Sequence, residues 1–222
     1  MAYSIAIDGP SGAGKSSVAK VIAKELGFIY VDTGAMYRAV ALFLLREKID
    51  PSNELEIKKV INKINVDIKY DNDKQLIFLN NEDVSSLIRT PEVGQAASEC
   101  SVFSSVRSKL TEMQREIASK KPIVMDGRDI TTTVLPNANL KIYLSASLDV
   151  RAKRRYKEFI KKGLLLTLEE TKKELEERDY RDMNREISPL TLAKDAIYID
   201  SSDMTIDEVI DKIIDLATGK KN

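Results

Sequence analysis

The chain has 222 residues with 35 basic and 35 acidic side chains, so that its formal net charge at pH 7 is zero. This balance argues against a general nucleic-acid or membrane-surface binder. The chain has one cysteine and no histidine, which excludes an intrachain disulfide, a cysteine zinc cluster and a Ser-His-Asp triad.

The first predicted elements surround a glycine-rich motif. Residues 3–7 predict a buried strand, and residues 15–26 have the apolar spacing of a helix. Residues 9–16 follow the pattern G-x-x-x-x-G-K-[ST], in which small residues let backbone N–H groups turn toward phosphate oxygens beside a helix N-terminus. Lys15 is predicted to reach the outer phosphates of a nucleoside triphosphate, and Ser16 its Mg²⁺. The predicted triphosphate-binding residues are Gly9, Pro10, Ser11, Gly12, Ala13, Gly14, Lys15, Ser16 and Ser17.

A second strand and helix follow the motif. Residues 28–31 predict a strand, residues 32–34 a turn and residues 35–47 a helix, which together begin a doubly wound α/β domain. The next buried strand begins about 90 residues after Val31, whereas a βαβ unit needs only roughly 30. A segment is therefore inserted at this point.

The inserted segment has both helix and strand patterns. Residues 53–64 predict a helix, and residues 66–70 alternate between apolar and polar side chains. A turn at residues 71–73 leads into a return strand at residues 75–79. We therefore expect a small antiparallel subdomain over residues 49–89.

The remaining patterns complete the predicted fold. Helices are predicted at residues 91–100, 104–119, 149–162, 168–186 and 205–216, and strands at residues 122–126, 140–144 and 196–199. They indicate a doubly wound, five-stranded parallel sheet with helices on both faces. The predicted single domain has its core at residues 1–48, 90–150 and 190–222, the insert at about 49–89 and a helical lid at about 151–189.

The predicted lid consists of two charged helices separated by Gly163, the first of them strongly basic. Closure of such a lid excludes water, and its arginines would neutralise charge on a moving phosphoryl group. The lid candidates are Arg151, Arg154 and Arg155. A solvated basic face or an RNA-contacting patch is the alternative, although few aromatic side chains lie among the basic ones.

Charged side chains follow the predicted carboxyl ends of the strands, where open α/β sheets bind ligands. Arg38 and Arg128 belong to these loops, and Arg178, Asp182 and Arg185 share one helix face through their i, i+4, i+7 spacing. Because arginine forks match phosphate oxygens, the sequence predicts a second phosphate-bearing ligand. Surface ion pairs are the alternative interpretation.

Nothing in the sequence predicts a membrane or nucleic-acid partner. Asp8 interrupts the first apolar run, and the longest apolar stretch, residues 40–45, is far shorter than the roughly 20 residues of a membrane span. We therefore expect a soluble cytoplasmic protein, and a monomer because no long apolar strip demands a partner.

Taken in order, the motifs resemble those of bacterial-type cytidylate kinases, which are P-loop nucleoside monophosphate kinases. The resemblance is carried by residues 7–16, 31–38, 82–85, 88–93, 125–129, 178–185 and 189–190. It implies transfer of the γ-phosphoryl group of ATP to CMP or dCMP, with Mg²⁺ as cofactor. It also implies that the insert binds the nucleoside monophosphate.

The same resemblance implies residue roles. Lys15, Arg38, Arg128 and Arg185 would be the catalytic residues, the three arginines by holding the CMP phosphate. The implied CMP-binding residues are Thr33, Tyr37, Arg38, Ser98, Arg107, Asp126, Arg128, Asp129, Arg178, Asp182 and Arg185. Among these, residues 98, 107 and 129 would read the cytosine, and residues 178 and 182 would contact the sugar.

The chain departs from the usual family pattern just after Asp129. Thr131 stands where a glycine is common, and Thr133 where an apolar residue is more usual. The departure therefore lies beside the predicted base pocket.

Two other classes stay open from the residues alone. The first is another P-loop small-molecule kinase, acting on UMP, AMP or shikimate. The second is a nucleotide-switched binding protein, although its Asn-Lys-x-Asp and Asp-x-x-Gly motifs are absent from the sequence.

Overall fold

The first four elements form the strand, helix, strand and helix that the sequence predicts. A computed structural model describes residues 2–71, 74–161, 163 and 165–219. Its first elements are β1 (Ser4–Asp8), α1 (Lys15–Leu26), β2 (Ile29–Asp32) and α2 (Thr33–Arg46). The turn prediction at residues 32–34 is wrong. Asp32 ends β2 and caps α2 by accepting the backbone N–H of Ala35, so that the helix begins directly after this N-cap.

The inserted segment forms a small antiparallel sheet and short helices. Its elements are α3 (Glu54–Val60), a 3₁₀ turn (Ile61–Lys63), β3 (Val66–Asp71), β4 (Lys74–Leu79), β5 (Glu82–Asp83) and a second 3₁₀ turn (Leu87–Arg89). β3 and β4 pair antiparallel, which confirms the predicted hairpin, and residues 72 and 73 of its predicted turn lie outside the described residues. The sequence pattern does not predict β5 because two charged residues have no strand periodicity.

The rest of the chain follows the predicted order. Its elements are α4 (Pro91–Cys100), α5 (Ser104–Lys120), β6 (Ile123–Gly127), a π-helical turn (Ile130–Val134), β7 (Leu140–Ser145), α6 (Leu148–Lys161), α7 (Leu168–Asn184), β8 (Ile197–Asp200) and α8 (Ile206–Thr218). The π-helical turn is not predicted from the sequence, and predicted helix residue 162 lies outside the described residues. Within the described ranges, no helix has both the length and the apolar character needed to cross a membrane.

The five core strands form one parallel sheet in the order β2-β6-β1-β7-β8. Asp8 lies opposite Gly127, and Asp32 lies opposite Asp126. The carboxyl ends of three neighbouring strands therefore meet at one edge, which is where open α/β sheets bind ligands. The predicted fold class, a doubly wound parallel sheet with a separate small antiparallel sheet, is confirmed.

Alternate side chains of the core strands enter two apolar clusters, one on each face of the sheet. Ile5 and Ile7 pack with α1 and α8 on one face, while Ala6 and Met125 pack with α2, α4 and α5 on the other. The second cluster also includes the insert's Ile57, Ile61, Ile64, Val66, Ile77, Leu79, Val84 and Ile88. The insert and the parallel sheet thus share one core.

This shared core predicts the effect of truncating Leu44, a fully buried side chain of α2 in that cluster. Replacement of Leu44 by alanine leaves a cavity and is expected to cost about 2–5 kcal/mol of unfolding free energy, measured by urea denaturation. The matched control is Leu55→Ala in α3. Because Leu55 is 72% exposed, its change is expected to stay within about 0.5 kcal/mol. Equal losses in both variants would contradict the shared core.

Candidate active site

A cavity of about 540 Å³ opens at the carboxyl edge of the parallel sheet. It brings together most residues that the sequence predicts to be functional, from segments far apart in the chain. Those on its wall are Ser11, Gly12, Ala13, Gly14, Lys15, Ser16, Ser17, Thr33, Tyr37, Arg38, Ser98, Arg107, Asp126, Arg128, Asp129, Arg154, Arg155, Arg178, Asp182 and Arg185. The predicted residues Gly9, Pro10 and Arg151 do not line this cavity.

The phosphate loop, residues 9–16, passes close to the neighbouring strand β7. A Cβ atom on Gly9 would lie 1.9 Å from the carbonyl oxygen of Leu144, so that only glycine fits there. Gly12 and Gly14 have φ angles of 77° and 92°, which side-chain-bearing residues rarely adopt. The glycines of the motif are therefore required by the backbone of this chain.

Lys15 is buried beneath the loop. Its Nζ donates to the carbonyl oxygens of Gly9 and Pro10, each at 2.7 Å. Burial, reinforced by the nearby positive charge of Arg128, holds the pKa of Lys15 well below its usual value. An anion bound in the cavity would counter both effects because it stabilises the charged ammonium.

Asp126, at the end of β6, faces the phosphate loop. Its carboxylate accepts a hydrogen bond from the hydroxyl of Ser16 at 2.8 Å and one from the hydroxyl of Tyr30 at 2.9 Å. Burial, together with the negative charge of Asp32, raises the pKa of Asp126 to about 6. The carboxylate and the Ser16 hydroxyl thus form a pair of oxygen ligands beside the loop, a donor set suited to Mg²⁺.

Asp32 is a cavity residue that sequence reasoning treated only as part of a turn. Its carboxylate lies 3.1 Å from Nη2 of Arg38 and 3.6 Å from Nη2 of Arg89. Burial acts to raise the pKa of Asp32, but the charges of the two arginines, together with the hydrogen bond from the Ala35 backbone N–H and the charge of Lys20, lower it. The position of an aspartate between a buried strand and a helical pattern is the signal that could have identified it as an N-cap.

The opposite wall of the cavity consists of arginine–carboxylate pairs. Arg107 donates to Asp129, and Nη2 of Arg185 lies 3.6 Å from the same carboxylate. Nε of Arg128 donates to Asp182 at 2.7 Å. Burial alone would raise the pKa of Asp182, but the neighbouring arginines hold it below its usual value. Both carboxylates therefore serve to position arginines.

Several buried guanidinium nitrogens on this wall lack a hydrogen-bond partner among the described residues. They are Nε of Arg38, Nε of Arg107, Nε of Arg178 and Nη2 of Arg185. Burial, with the nearby Arg128, lowers the pKa of Arg178 to about 10. Buried donors in folded proteins are nearly always paired, so that this positively charged wall with unsatisfied donors is suited to an anionic ligand.

The π-helical turn fixes the backbone beside Asp129. The carboxylate of Asp8, fully buried, accepts the backbone N–H groups of Ile130 and Thr131 at 2.9 and 2.7 Å and the Thr131 hydroxyl at 2.6 Å. Burial raises the pKa of Asp8, although these hydrogen bonds act in the opposite direction. The side chain of Thr131 therefore adds a third hydrogen bond to the buried aspartate. Asp8 was not among the predicted functional residues.

Apart from Arg154, the residues at the end of the cavity near α8 were not predicted from the sequence. Arg154 donates to the hydroxyl of Ser201 at 3.1 Å and to its carbonyl oxygen at 2.7 Å. Met204, Ile206 and Val209 line the cavity next to this contact. This end thus combines a fixed guanidinium with apolar surface, an arrangement suited to a flat aromatic base. The other cavity residues missed from the sequence are Val18, Lys20, Asp32, Gly34, Arg89, Ala97, Ser101, Gly127, Leu144, Glu158 and Thr205.

The three lid candidates have different surroundings. Arg155 lines the cavity and donates to Glu158 at 2.9 Å, and Arg154 is held by Ser201. Arg151 is instead buried outside the cavity wall, where it pairs with Asp179. The structure therefore places two of the three where a nucleotide could reach them.

The site has the parts of a P-loop kinase. A glycine-rich loop follows β1, the Ser16–Asp126 pair lies beside it, and the arginine wall faces it. A family model described as cytidylate kinase matches residues 5–219. The chain therefore belongs to the cytidylate kinase family.

Individual relatives cover nearly the whole chain. A cytidylate kinase from Lactobacillus gasseri is 48% identical over 217 residues, which cover 98% of this chain and 94% of that protein. One from Caldicellulosiruptor bescii is 48% identical over 212 residues, covering 96% and 94%. A solved structure of an uncharacterized protein from Eubacterium ventriosum has a TM-score of 0.55 at 17% identity, covering 99% of this chain and 100% of that chain, and shows likeness of fold alone.

The Asp182 pair predicts a pH-dependent stability. Because the folded pKa of Asp182 lies below its unfolded value near 3.8, its charge stabilises the fold above that pH, and the contribution is lost as pH falls through the folded pKa. Asp182→Asn is therefore expected to lower the unfolding free energy by about 3–5 kcal/mol at pH 7, and by less at pH 3, where the carboxyl group of the unfolded chain is largely protonated. Urea denaturation at both pH values measures this difference.

The matched control is Asp195→Asn. Asp195 pairs with Lys141 at 2.6 Å, but its side chain is 67% exposed, so that water can replace its contacts and the substitution is expected to lower stability at pH 7 less than Asp182→Asn does. A loss in Asp182→Asn that is the same at pH 3 and pH 7 would contradict the charge argument.

Proposed function

We propose that this protein transfers the γ-phosphoryl group of ATP to CMP, and also to dCMP, producing ADP and CDP or dCDP. The proposal rests mainly on the buried guanidinium nitrogens that lack hydrogen-bond partners on the wall opposite the phosphate loop. A single triphosphate on the loop accounts for one phosphate site, and these donors supply a second. Membership of the cytidylate kinase family supports a cytosine nucleotide as the acceptor.

The donor phosphates would bind on the phosphate loop. Backbone N–H groups there and the N-terminus of α1 favour anions, and the Nζ of Lys15 would move from the carbonyl oxygens of Gly9 and Pro10 to the outer phosphates. The ATP base would lie against Arg154, Met204 and Ile206. In this arrangement the terminal phosphate would face the arginines on the wall of the cavity.

A magnesium ion would be held by the hydroxyl of Ser16 and the carboxylate of Asp126, because both are hard oxygen ligands beside the loop. The metal would neutralise phosphate charge and orient the donor. This assignment gives Asp126 a donor-side role, in place of the CMP contact that the sequence resemblance implies.

The acceptor phosphate would bind between Arg38, Arg128 and Arg185, which all line the cavity. Ser98, Arg107 and Asp129, which also line the cavity, would contact the cytosine. Arg178 and Asp182 would contact the sugar. The carboxylates of Asp129 and Asp182 are already paired with arginines, and a CMP phosphate oxygen is anionic near neutral pH. The reaction therefore needs positioning and charge neutralisation rather than a strong base.

An acceptor panel tests this function directly. With ATP and Mg²⁺, we expect ADP release to be fastest with CMP, with measurable turnover of dCMP and far slower release with UMP, AMP or shikimate. Coupled-enzyme detection of ADP measures the rates, and reactions without acceptor give the background hydrolysis. A clear preference for an acceptor without cytosine would overturn the proposal.

Replacing Arg185 tests the acceptor wall. Arg185→Ala removes charge-assisted hydrogen bonds worth about 1.5–3 kcal/mol, so that CMP affinity and turnover are expected to fall roughly 10- to 100-fold while ATP affinity stays within about twofold. Titration calorimetry with each nucleotide and steady-state kinetics measure the two effects separately.

The matched control is Arg46→Ala. Arg46 is exposed, pairs with Glu82 at 2.6 Å and does not line the cavity, so that wild-type kinetics are expected. Unchanged KM and kcat for CMP in Arg185→Ala would remove Arg185 from the acceptor site.

A further inference from the structure

We propose that Arg151 and Asp179 are positioning residues that clamp the outer side of the phosphate loop to the lid helices and so set the affinity for ATP. The proposal rests on the proposed function only in taking the loop as the donor site. Neither residue lines the cavity, and both are buried. The pair acts through the loop backbone rather than by contact with the nucleotide.

The contacts of the pair converge on Ser11. Asp179 of α7 accepts the backbone N–H of Ser11 at 3.1 Å, and Nη1 of Arg151 of α6 donates to the Ser11 carbonyl oxygen at 3.0 Å. The same Nη1 donates to Asp179 at 2.5 Å, and Nε of Arg151 donates to the carbonyl oxygen of Ala146 at 2.8 Å. One peptide segment of the loop is therefore bonded through both its N–H and its carbonyl.

Packing tightens the same contact. A Cβ atom placed on Gly12 would lie 3.2 Å from Cβ of Arg151. The loop thus lies directly against α6, and the left-handed backbone of Gly12, with φ of 77°, is held between the cavity and Arg151. Loss of the clamp would release this turn, and its N–H groups would no longer be pre-oriented toward phosphate oxygens.

The clamp also connects the two halves of the cavity. Asp179 directly follows Arg178, and Asp182 lies one turn further along α7. Arg178 and Asp182 line the acceptor part of the cavity, whereas Asp179 holds the donor loop. One helix therefore positions groups for both nucleotides.

The test compares ATP affinity in the full chain of four variants. Asp179→Asn removes the charge that holds Arg151, and Arg151→Met removes the donors to Ser11. Arg151→Lys keeps a cation that reaches one oxygen but not the fork. The matched control is Asp149→Asn, which breaks an exposed ion pair of 2.6 Å with Lys172 that also joins α6 and α7.

Titration calorimetry with ATP alone is expected to show at least about tenfold weaker binding for Asp179→Asn and Arg151→Met. Arg151→Lys is expected to recover part of this loss. KM for ATP should rise in parallel, while KM for CMP stays within about threefold. Asp149→Asn is expected to bind ATP as the wild type does, and thermal unfolding shows which variants are folded.

Hydrogen exchange gives an independent readout. Peptides covering residues 9–14 are expected to exchange faster in Asp179→Asn and Arg151→Lys than in Asp149→Asn. Wild-type ATP affinity and loop exchange in folded Asp179→Asn or Arg151→Lys would overturn the clamp, as would equal losses in Asp149→Asn. A wild type that binds ATP but phosphorylates no CMP would contradict the proposed function while leaving this comparison intact.

Discussion

The register of the parallel strands is the constraint on which the whole cavity depends. Asp8 opposite Gly127, and Asp32 opposite Asp126, place the loops that follow three neighbouring strands side by side. A slip of one residue in β6 would turn Asp126 to the other face and separate it from Ser16, because successive side chains of a strand point in opposite directions. The register is itself fixed by the apolar side chains that alternate between the two faces of the sheet.

Buried carboxylates orient the arginines of the cavity wall but do not occupy all of their hydrogen-bond donors. Asp129 and Asp182 each engage arginines from other segments, yet nitrogens of Arg107 and Arg185 keep free donor capacity on the described wall. An arginine held by a carboxylate on one side has lost most of its rotamer freedom before a ligand arrives. The entropy cost of ordering it is thus met during folding rather than during binding.

The fold and most of the cavity could be predicted because each rests on a local pattern. Strand alternation, helix periodicity and the glycine motif are all properties of short windows, and strand ends converge by a general rule. Arg151 shows where such reasoning stops. Its basic neighbourhood suggested contact with phosphate, whereas its actual partners, Ser11 and Asp179, are distant in sequence. The role of Asp8 and the π-helical turn were not predicted for the same reason. The carboxylate that accepts the hydrogen bonds of the turn lies in a strand more than a hundred residues earlier.

The core that the insert shares with the sheet bears on how this chain could be divided. Ile57, Ile64 and Ile77 of the insert are buried in the same cluster as α2 and β6. A fragment of residues 49–89 would expose these side chains to water, and excising the fragment would uncover the side of α2 that packs against it. The insert is therefore not a transplantable module: a chimera that exchanged it for the acceptor segment of another kinase would have to exchange the facing side chains of α2 as well.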